Sequence, residues 1–197
     1  MNENHAKLCP SPEWAAHLHE EVLSDLIDGI DLGDVMLEVG PGRGAATDWL
    51  RHRVGRLVAV ERDADAADVL AAKQASGNVE VVRGDGARLD FDDATFDAAG
   101  CFTMLHHMRT AAEQDALLVE MRRVLRPGGV LVGSDSLPSD ELERFHEGDT
   151  YNPVDPATFH DRLRRGGFER VTVRADKWLA FVAYAPVKGS SWRETTR

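Results

Sequence analysis

The chain has 197 residues, 43% of them hydrophobic, which suits one globular domain with a substantial core and is too short for two full catalytic domains. It carries 23 Lys and Arg against 34 Asp and Glu, a formal net charge of −11 that disfavours nucleic-acid partners and anionic membranes. A small-molecule partner is therefore favoured, although dispersed acids also suit a surface that is merely solvated.

The first predicted element is an amphipathic helix at 12–29. Ser11 can cap it, Pro12 suits its first position, and Glu13 favours its dipole. Apolar residues then recur at intervals of three and four. Before this helix the sequence has no apolar leader, and no apolar run reaches the ~20 residues of a membrane span. With only Cys9 and Cys101, these features predict a cytoplasmic protein without disulfides.

Strand and helix patterns then alternate. Predicted strands lie at 35–39, 57–60, 79–82, 96–102 and 130–134, and predicted helices at 45–53, 64–75 and 111–125. The first strands are continuously apolar, as expected where helices cover both faces of a parallel sheet. This pattern predicts an α/β, Rossmann-like, doubly wound fold.

The pattern changes after residue 134. We predict a short helix at 139–146, a loop at 147–156, a helix at 156–166, and strands at 168–174 and 178–185. About three residues join the last two strands, too few for a parallel crossover, so one strand must be antiparallel. The prediction is a single domain, 1–187, with a seven-stranded sheet that is mostly parallel and has one antiparallel strand near the C-terminus. A flexible polar tail, 188–197, follows.

The first strand runs into a glycine turn that contains Gly40, Pro41, Gly42 and Gly44. Glycine permits positive φ and close approach of a ligand to the backbone. The turn matches both Gly-x-Gly-x-Gly and the looser dinucleotide-binding pattern Gly-x-Gly-x-x-Ala, so on its own it is ambiguous.

Two further acids follow the next strands. Glu61 ends the second strand, 21 residues after Gly40, where an acid can accept hydrogen bonds from ribose hydroxyls. Asp85 follows the third strand, and an adenine amino group could donate to it. Parallel strands bring both acids and the glycine turn to one edge of the sheet, where such folds bind ligands.

Five motifs in order resemble the class I S-adenosylmethionine-dependent methyltransferases of the small-molecule type. They are LEVGPGRG at 37–44, VAVERD at 58–63, RGDGA at 83–87, MLHHM at 104–108 and RVLRPGG at 123–129. The resemblance implies an enzyme that transfers a methyl group from S-adenosylmethionine to an oxygen or nitrogen nucleophile of a small molecule.

The resemblance also implies site roles. Glu38 and the glycine turn would lie against the methionine moiety, Glu61 would bind the ribose diol, and Asp85 with Gly86 would meet adenine. Arg62 and Phe102 could flank the adenine ring. His106 and His107 would lie near the transferred methyl group, where either imidazole could take a proton; alternatively, they cap a strand and one packs in the core.

Two alternatives to methyl transfer stay open. The first is an NAD(P)-dependent oxidoreductase, since Tyr184 and Lys188 match a Tyr-x-x-x-Lys dyad. That dyad needs a helix, Pro186 interrupts the spacing, and no second domain is left for hydride chemistry. The second is a protein that binds S-adenosylmethionine without turnover.

No metal is predicted, because His17 and His19 cannot share one helix face and no Cys/His cluster has ligand spacing. Asp135 and Asp140 are acids that no motif connects to a site. The resemblance also implies that Trp14 with its helix and residues 135–151 wall the acceptor pocket. Trp14 suits the core as well, and the loop 146–151 within the second wall also suits a solvated connection. The motif typical of amino methylation of nucleic-acid bases is missing after the fourth strand, which argues against DNA and RNA.

Overall fold

The structure is a computed structural model that describes residues 11–75 and 77–187. Cys9 and the predicted tail at 188–197 lie outside the described residues.

Helices and strands alternate through most of the described chain. The helices are α1 (Pro12–His17), α2 (Ser24–Ile27), α3 (Ala45–Leu50), α4 (Ala64–Gln74), α5 (Ala111–Val124), α6 (Asp140–Phe145) and α7 (Pro156–Arg165). A π-helical turn, Leu18–Leu23, joins α1 to α2, and a 3₁₀ turn, Leu105–His107, follows the fourth strand. The strands are β1 (Val35–Val39), β2 (Arg56–Glu61), β3 (Val79–Arg83), β4 (Phe96–Phe102), β5 (Leu125–Asp135), β6 (Glu169–Ala175) and β7 (Leu179–Tyr184).

The seven strands form one sheet in the order β3-β2-β1-β4-β5-β7-β6. The pairs among β1 to β5 are parallel, whereas β7 is antiparallel to both β5 and β6. The predicted fold class is confirmed, including the single antiparallel strand near the C-terminus.

Two apolar layers cover the sheet. On one face, α5 and α7 pack on alternate residues of the central strands, such as Leu37, Ala99 and Leu131. On the other face, the helical segments at 12–27 and α3 pack on the intervening residues, such as Met36 and Ala98. Burial on both faces explains why these strands are continuously apolar in the sequence.

Several boundaries differ from the prediction, and two of the differences have an identifiable cause in the backbone. The strand predicted at 130–134 begins earlier, at Leu125, because Pro127 cannot continue the preceding helix and disfavours helical backbone at Arg126. The helix predicted at 12–29 is helical to Ile27 but contains the π-helical turn, which the apolar spacing did not reveal.

The strand order reverses between β1 and β4. The chain leaves β1 toward β2 and β3, then returns to place β4 on the other side of β1. In such sheets a crevice opens at this reversal, beyond the carboxyl ends of the strands. This crevice holds the candidate site.

Within residues 11–75 and 77–187, no helix combines the length and apolar character that crossing a membrane requires.

A buried polar network joins α7 to the crevice. The Arg162 guanidinium donates to Asp115 Oδ1 at 2.7 Å, to Gln114 Oε1 at 2.8 Å and to the Ala111 carbonyl at 3.1 Å. The Gln114 amide, fully buried, donates in turn to the carbonyls of Leu105 and Asn152, each at 2.9 Å. Gln114 therefore ties the 3₁₀ turn to the loop that follows α6.

Replacing Arg162 by Met should lower the free energy of unfolding by about 1 to 3 kcal/mol, since buried acceptors on Gln114 and Ala111 lose their donors. Urea unfolding would measure the loss. Arg164→Met is the matched control, because that side chain is exposed and should change stability by less than about 0.5 kcal/mol. Equal effects of the two substitutions would contradict a structural role for the network.

Candidate active site

A cavity of about 540 Å³ opens at the carboxyl ends of β1, β2, β3 and β4. The predicted site residues that line it are Glu38, Gly40, Pro41, Gly42, Glu61, Arg62, Asp85, Gly86, Phe102 and His107. Gly44 and His106 lie outside its lining. A smaller cavity of about 340 Å³ lies elsewhere, beside Glu21, Arg174 and Trp178.

The glycine turn follows β1 with left-handed backbone at each glycine: φ is +69° at Gly40, +55° at Gly42 and +87° at Gly44. A Cβ at Gly40 would also lie 2.9 Å from the Met104 side chain. Glycine is therefore favoured here for two reasons, the positive φ and the lack of space for a side chain. Gly44 precedes the first residue of α3 and packs on Leu70, which gives it a structural role behind the cavity wall.

Glu38 presents a carboxyl group almost without exposure, at 1%. Its Oε2 accepts a hydrogen bond from the Thr47 hydroxyl at 2.7 Å. Burial raises the pKa of Glu38 to about 7, the Thr47 hydrogen bond opposes this rise, and the nearby Asp48 and Glu61 charges add to it. The acid that begins the glycine motif is therefore held close to its titration point at neutral pH.

Glu61 is tied to the glycine turn by its side chain. Its Oε2 accepts from the Gly42 N–H at 2.9 Å, and its Oε1 accepts from the Asp63 N–H at 2.8 Å. The carboxylate is 9% exposed and borders the cavity. Its position is thus set by two backbone donors, while each oxygen keeps a second lone pair for a ligand hydroxyl.

Asp85 and Gly86 form the far wall of the cavity. Asp85 Oδ1 accepts from the Ala87 N–H at 3.0 Å, which orients the carboxylate at an exposed position. A Cβ at Gly86 would collide with Val39, so glycine lets β1 and the turn after β3 approach each other.

Arg62 and Phe102 both line the cavity, but Arg62 follows β2 and Phe102 ends β4, and these two strands lie on opposite sides of β1. Asp85 follows β3, on the Arg62 side. Strand order therefore favours Arg62 beside an adenine held at Asp85, and places Phe102 in the other half of the cavity.

His106 is buried and bound to an acid that the sequence motifs did not single out. Its Nδ1 lies 2.5 Å from Asp135 Oδ1, and its backbone N–H donates to Asp135 Oδ2 at 3.2 Å. Both side chains are at most 5% exposed. Asp135 ends β5, and the other site acids likewise lie at or within two residues of the ends of β1, β2 and β3. That shared placement was the signal available in the sequence.

His107, not His106, borders the cavity. Its ring lies 4.1 Å from the His106 ring and 5.4 Å from the ring of His146, measured between centroids. His106 instead turns inward to Asp135.

The loop after α6 supplies the third histidine. His146 is 3% exposed, and its ring stacks on Tyr151 with centroids 4.4 Å apart. Burial lowers the pKa of His146 below its ordinary value, which favours the neutral ring. Asp149 and Thr150 of the same loop line the cavity, so the structure favours the wall hypothesis over a solvated connection.

Ring nitrogens of His106, His107 and His146 lie within 4.8 Å of one another. The expectation of no metal relied on ligand spacing along the chain. His146 is 39 residues from His107, so only folding brings the three histidines together.

The N-terminal helical segment closes one side of the cavity through Trp14 and Leu18. Ser11 caps α1 by accepting from the Trp14 N–H at 3.1 Å, and His19 Nε2 lies 2.5 Å from the Ala45 carbonyl at the start of α3. These contacts fix the segment next to the glycine turn.

The Tyr-x-x-x-Lys dyad of oxidoreductases requires a helix, but Tyr184 is the last residue of strand β7. Lys188 lies outside the described residues.

Comparison with known proteins gives consistent matches. A family model described as a methyltransferase domain matches residues 37–133. The ubiquinone/menaquinone biosynthesis C-methyltransferase UbiE of Teredinibacter turnerae is 33% identical over 128 residues, covering 59% of this chain and 49% of that protein. The ribosomal RNA small subunit methyltransferase A of Geobacter metallireducens is 45% identical over 75 residues, covering 36% and 27%.

Among solved structures, phosphoethanolamine N-methyltransferase 2 of Haemonchus contortus in complex with S-adenosyl-L-methionine matches with a TM-score of 0.69. The match covers 84% of this chain and 51% of that chain at 16% identity, and shows the fold alone.

The match of residues 37–133 to the methyltransferase family model and the shared fold agree with the class I S-adenosylmethionine-dependent methyltransferases that the five motifs resemble, whose cofactor is S-adenosylmethionine. The family and cofactor predicted from the five motifs are confirmed. The chain spans between 22% and 49% of the length of the curated relatives it matches.

The Glu38 carboxyl should make stability depend on pH. Its folded pKa of about 7 exceeds the ordinary value of 4.5, so as pH rises between these values the unfolded chain ionises first and the folded state is progressively disfavoured. Glu38→Gln removes this effect, and should gain on the order of 3 kcal/mol relative to the parent protein between about pH 5 and about pH 8.

Urea unfolding of the cofactor-free protein at both pH values measures the difference. Glu80→Gln, at an exposed acid paired with Arg56, is the matched control and should leave the pH dependence as it is. Parallel pH curves for the parent and Glu38→Gln would show that Glu38 titrates normally.

Proposed function

We propose that this chain binds S-adenosylmethionine in the 540 Å³ cavity and transfers its methyl group to an oxygen or nitrogen of a small molecule. The observation that carries the proposal is the convergence of Glu61, the glycine turn and Asp85 on one cavity, with Glu61 hydrogen-bonded to the turn itself.

Each part of the cofactor has a matching group. The ribose diol would donate to Glu61, whose oxygens are oriented by two backbone N–H groups. The adenine amino group would donate to Asp85, with Arg62 beside the ring. The methionine part, which carries a sulfonium, an ammonium and a carboxylate and is cationic overall, would lie against the glycine turn near Glu38.

Charge supports this cofactor over a nicotinamide dinucleotide. Glu38 and Glu61 border the glycine turn, together with Asp63. A pyrophosphate at this turn would meet acids, whereas the cationic end of S-adenosylmethionine would be attracted to them. The binding of a positively charged ligand also favours the ionised form of Glu38.

The other half of the cavity would hold the acceptor. Phe102, Met104, Met108 and His107 line it together with Trp14, Leu18, Asp149 and Thr150 from the two covering segments. Apolar walls exclude water. Most of the acceleration of methyl transfer then comes from holding the acceptor in position next to the sulfonium. We propose that His107 contacts the acceptor, with His106 held behind it by Asp135.

Ribosomal RNA is the second candidate acceptor, because relatives with that activity match part of this chain at 40% to 45% identity. The net charge of −11 opposes an RNA partner. The relatives named as C-methyltransferases also make carbon acceptors worth including in any assay.

Replacing Glu61 by Ala should weaken S-adenosylhomocysteine binding by about 1 to 3 kcal/mol, the scale of hydrogen bonds to a charged group. Calorimetry measures the change. Glu80→Ala, an acid of the adjacent strand that lies outside the cavity lining, is the control and should bind like the parent. Unchanged affinity in Glu61→Ala would remove Glu61 from the ribose site.

Replacing His107 by Ala should lower methyl-transfer turnover about 10²-fold or more while leaving S-adenosylhomocysteine affinity as in the parent. His160→Ala, at an exposed histidine, is the control. The assay uses labelled S-adenosylmethionine with phenols, amines, carboxylic acids, carbon acids and ribosomal RNA.

Two outcomes would revise the proposal. A parent protein that binds S-adenosylhomocysteine but methylates nothing in the panel would be a binding protein without turnover. A His107→Ala protein that loses cofactor affinity and turnover equally would place His107 in the cofactor site instead.

A further inference from the structure

We propose that His106, His107 and His146 form a binding site for a divalent transition metal, with zinc as the leading candidate, at the wall of the cavity. One ring nitrogen from each of the three already lies within 4.8 Å of the other two. Two of the rings come from the 3₁₀ turn after β4, and the third comes from the end of α6.

The hydrogen bonds of two rings prepare them as ligands. His106 Nδ1 is bound to Asp135 Oδ1, and His146 Nδ1 lies 2.6 Å from the Leu142 carbonyl. A carbonyl oxygen only accepts, so His146 carries its proton on Nδ1, and the Asp135 carboxylate favours the same tautomer in His106. In both rings Nε2 is therefore the atom with the lone pair.

His106 and His146 have the hydrogen-bond partners that are typical of metal-binding histidines. Such rings almost always donate their other N–H to a carboxylate or a backbone carbonyl, which fixes the ring and raises its basicity. His106 has the carboxylate and His146 has the carbonyl. The Asp135 carboxylate is in turn held by the Ser136 N–H at 2.7 Å and by the His106 N–H, so the outer shell is itself anchored.

The donor set selects the class of metal. Three imidazoles suit zinc, cobalt, nickel and copper, whereas magnesium and calcium prefer oxygen ligands. His106 and His146 are buried, and His107 borders the cavity. A metal held by all three would therefore lie at the cavity wall, at the end opposite to Asp85.

Binding requires a small closure. With zinc–nitrogen bonds of 2.0 to 2.1 Å in a tetrahedral site, the nitrogens lie about 3.3 Å apart. Separations of up to 4.8 Å must therefore shrink by up to about 1.5 Å. His107 can supply this movement by rotating about its side-chain bonds, since it is only partly buried. His146 is steadied by its stack on Tyr151.

The test uses the untagged full chain, stripped with a chelator and titrated with Co²⁺ and then Zn²⁺. We expect one Co²⁺ per chain with visible d–d absorption that Zn²⁺ abolishes by displacement. His146→Gln and, separately, His107→Gln should each weaken Co²⁺ binding by about a hundredfold or more, and Asp135→Asn by roughly tenfold to a hundredfold. His160→Gln, at an exposed histidine, should bind like the parent.

Circular dichroism of each variant reports whether it folds, and the partly buried His107 keeps the test decisive if a buried substitution unfolds the chain. Absence of stoichiometric binding would overturn the proposal. So would Co²⁺ affinity that is unchanged in both folded His→Gln variants, because the metal would then sit at other groups. S-adenosylhomocysteine binding by the same samples is read independently, so failure of the metal site is distinguishable from failure of the methyltransferase proposal.

Discussion

The site depends on the hydrogen bond between the Gly42 N–H and the Glu61 carboxylate. It joins the turn after β1 to the end of β2, and the second oxygen of Glu61 joins the same acid to Asp63 at the entrance of α4. One nearly buried side chain thus sets the shape of the glycine turn and the position of the proposed ribose acceptor together. Two backbone donors hold this carboxylate in one orientation despite its low exposure.

The two ends of the cavity use carboxyl groups in different ways. Glu61 is oriented by backbone N–H groups. Glu38, one strand away, accepts a hydrogen bond from the Thr47 hydroxyl and lies near the negative charges of Asp48 and Glu61, and burial raises its pKa to about 7. At the other end Asp135 faces an imidazole instead of the cavity. Acids that share a strand-end position in the sequence therefore serve separate purposes, which neighbouring groups decide.

Much of the fold was predictable because each central strand is buried on both faces and so carries a continuous apolar run. The limits of β1 and β4 agree with the prediction, and the short connection before β7 required an antiparallel strand. The errors lie where backbone geometry competes with periodicity. Because of Pro127, residue 125 begins a strand where the sequence predicted the end of a helix. In the π-helical turn, the spacing of apolar residues does not differ visibly from that of an ordinary α-helix.

The sequence by itself determined the proposed cofactor half of the site, because a glycine turn and acids near successive strand ends need only local order and parallel strands to converge. Gly40, Glu61 and Asp85 therefore line one cavity as predicted. Only the tertiary structure decided the other half. Asp135 meets His106, and His146 meets His107, across long stretches of chain, because the strand order and the packing of the loop after α6 bring them together. A local sequence pattern does not indicate which distant side chain will pack at a given place. The contacts of Asp135 with His106 and of His146 with His107 therefore depend on tertiary packing alone.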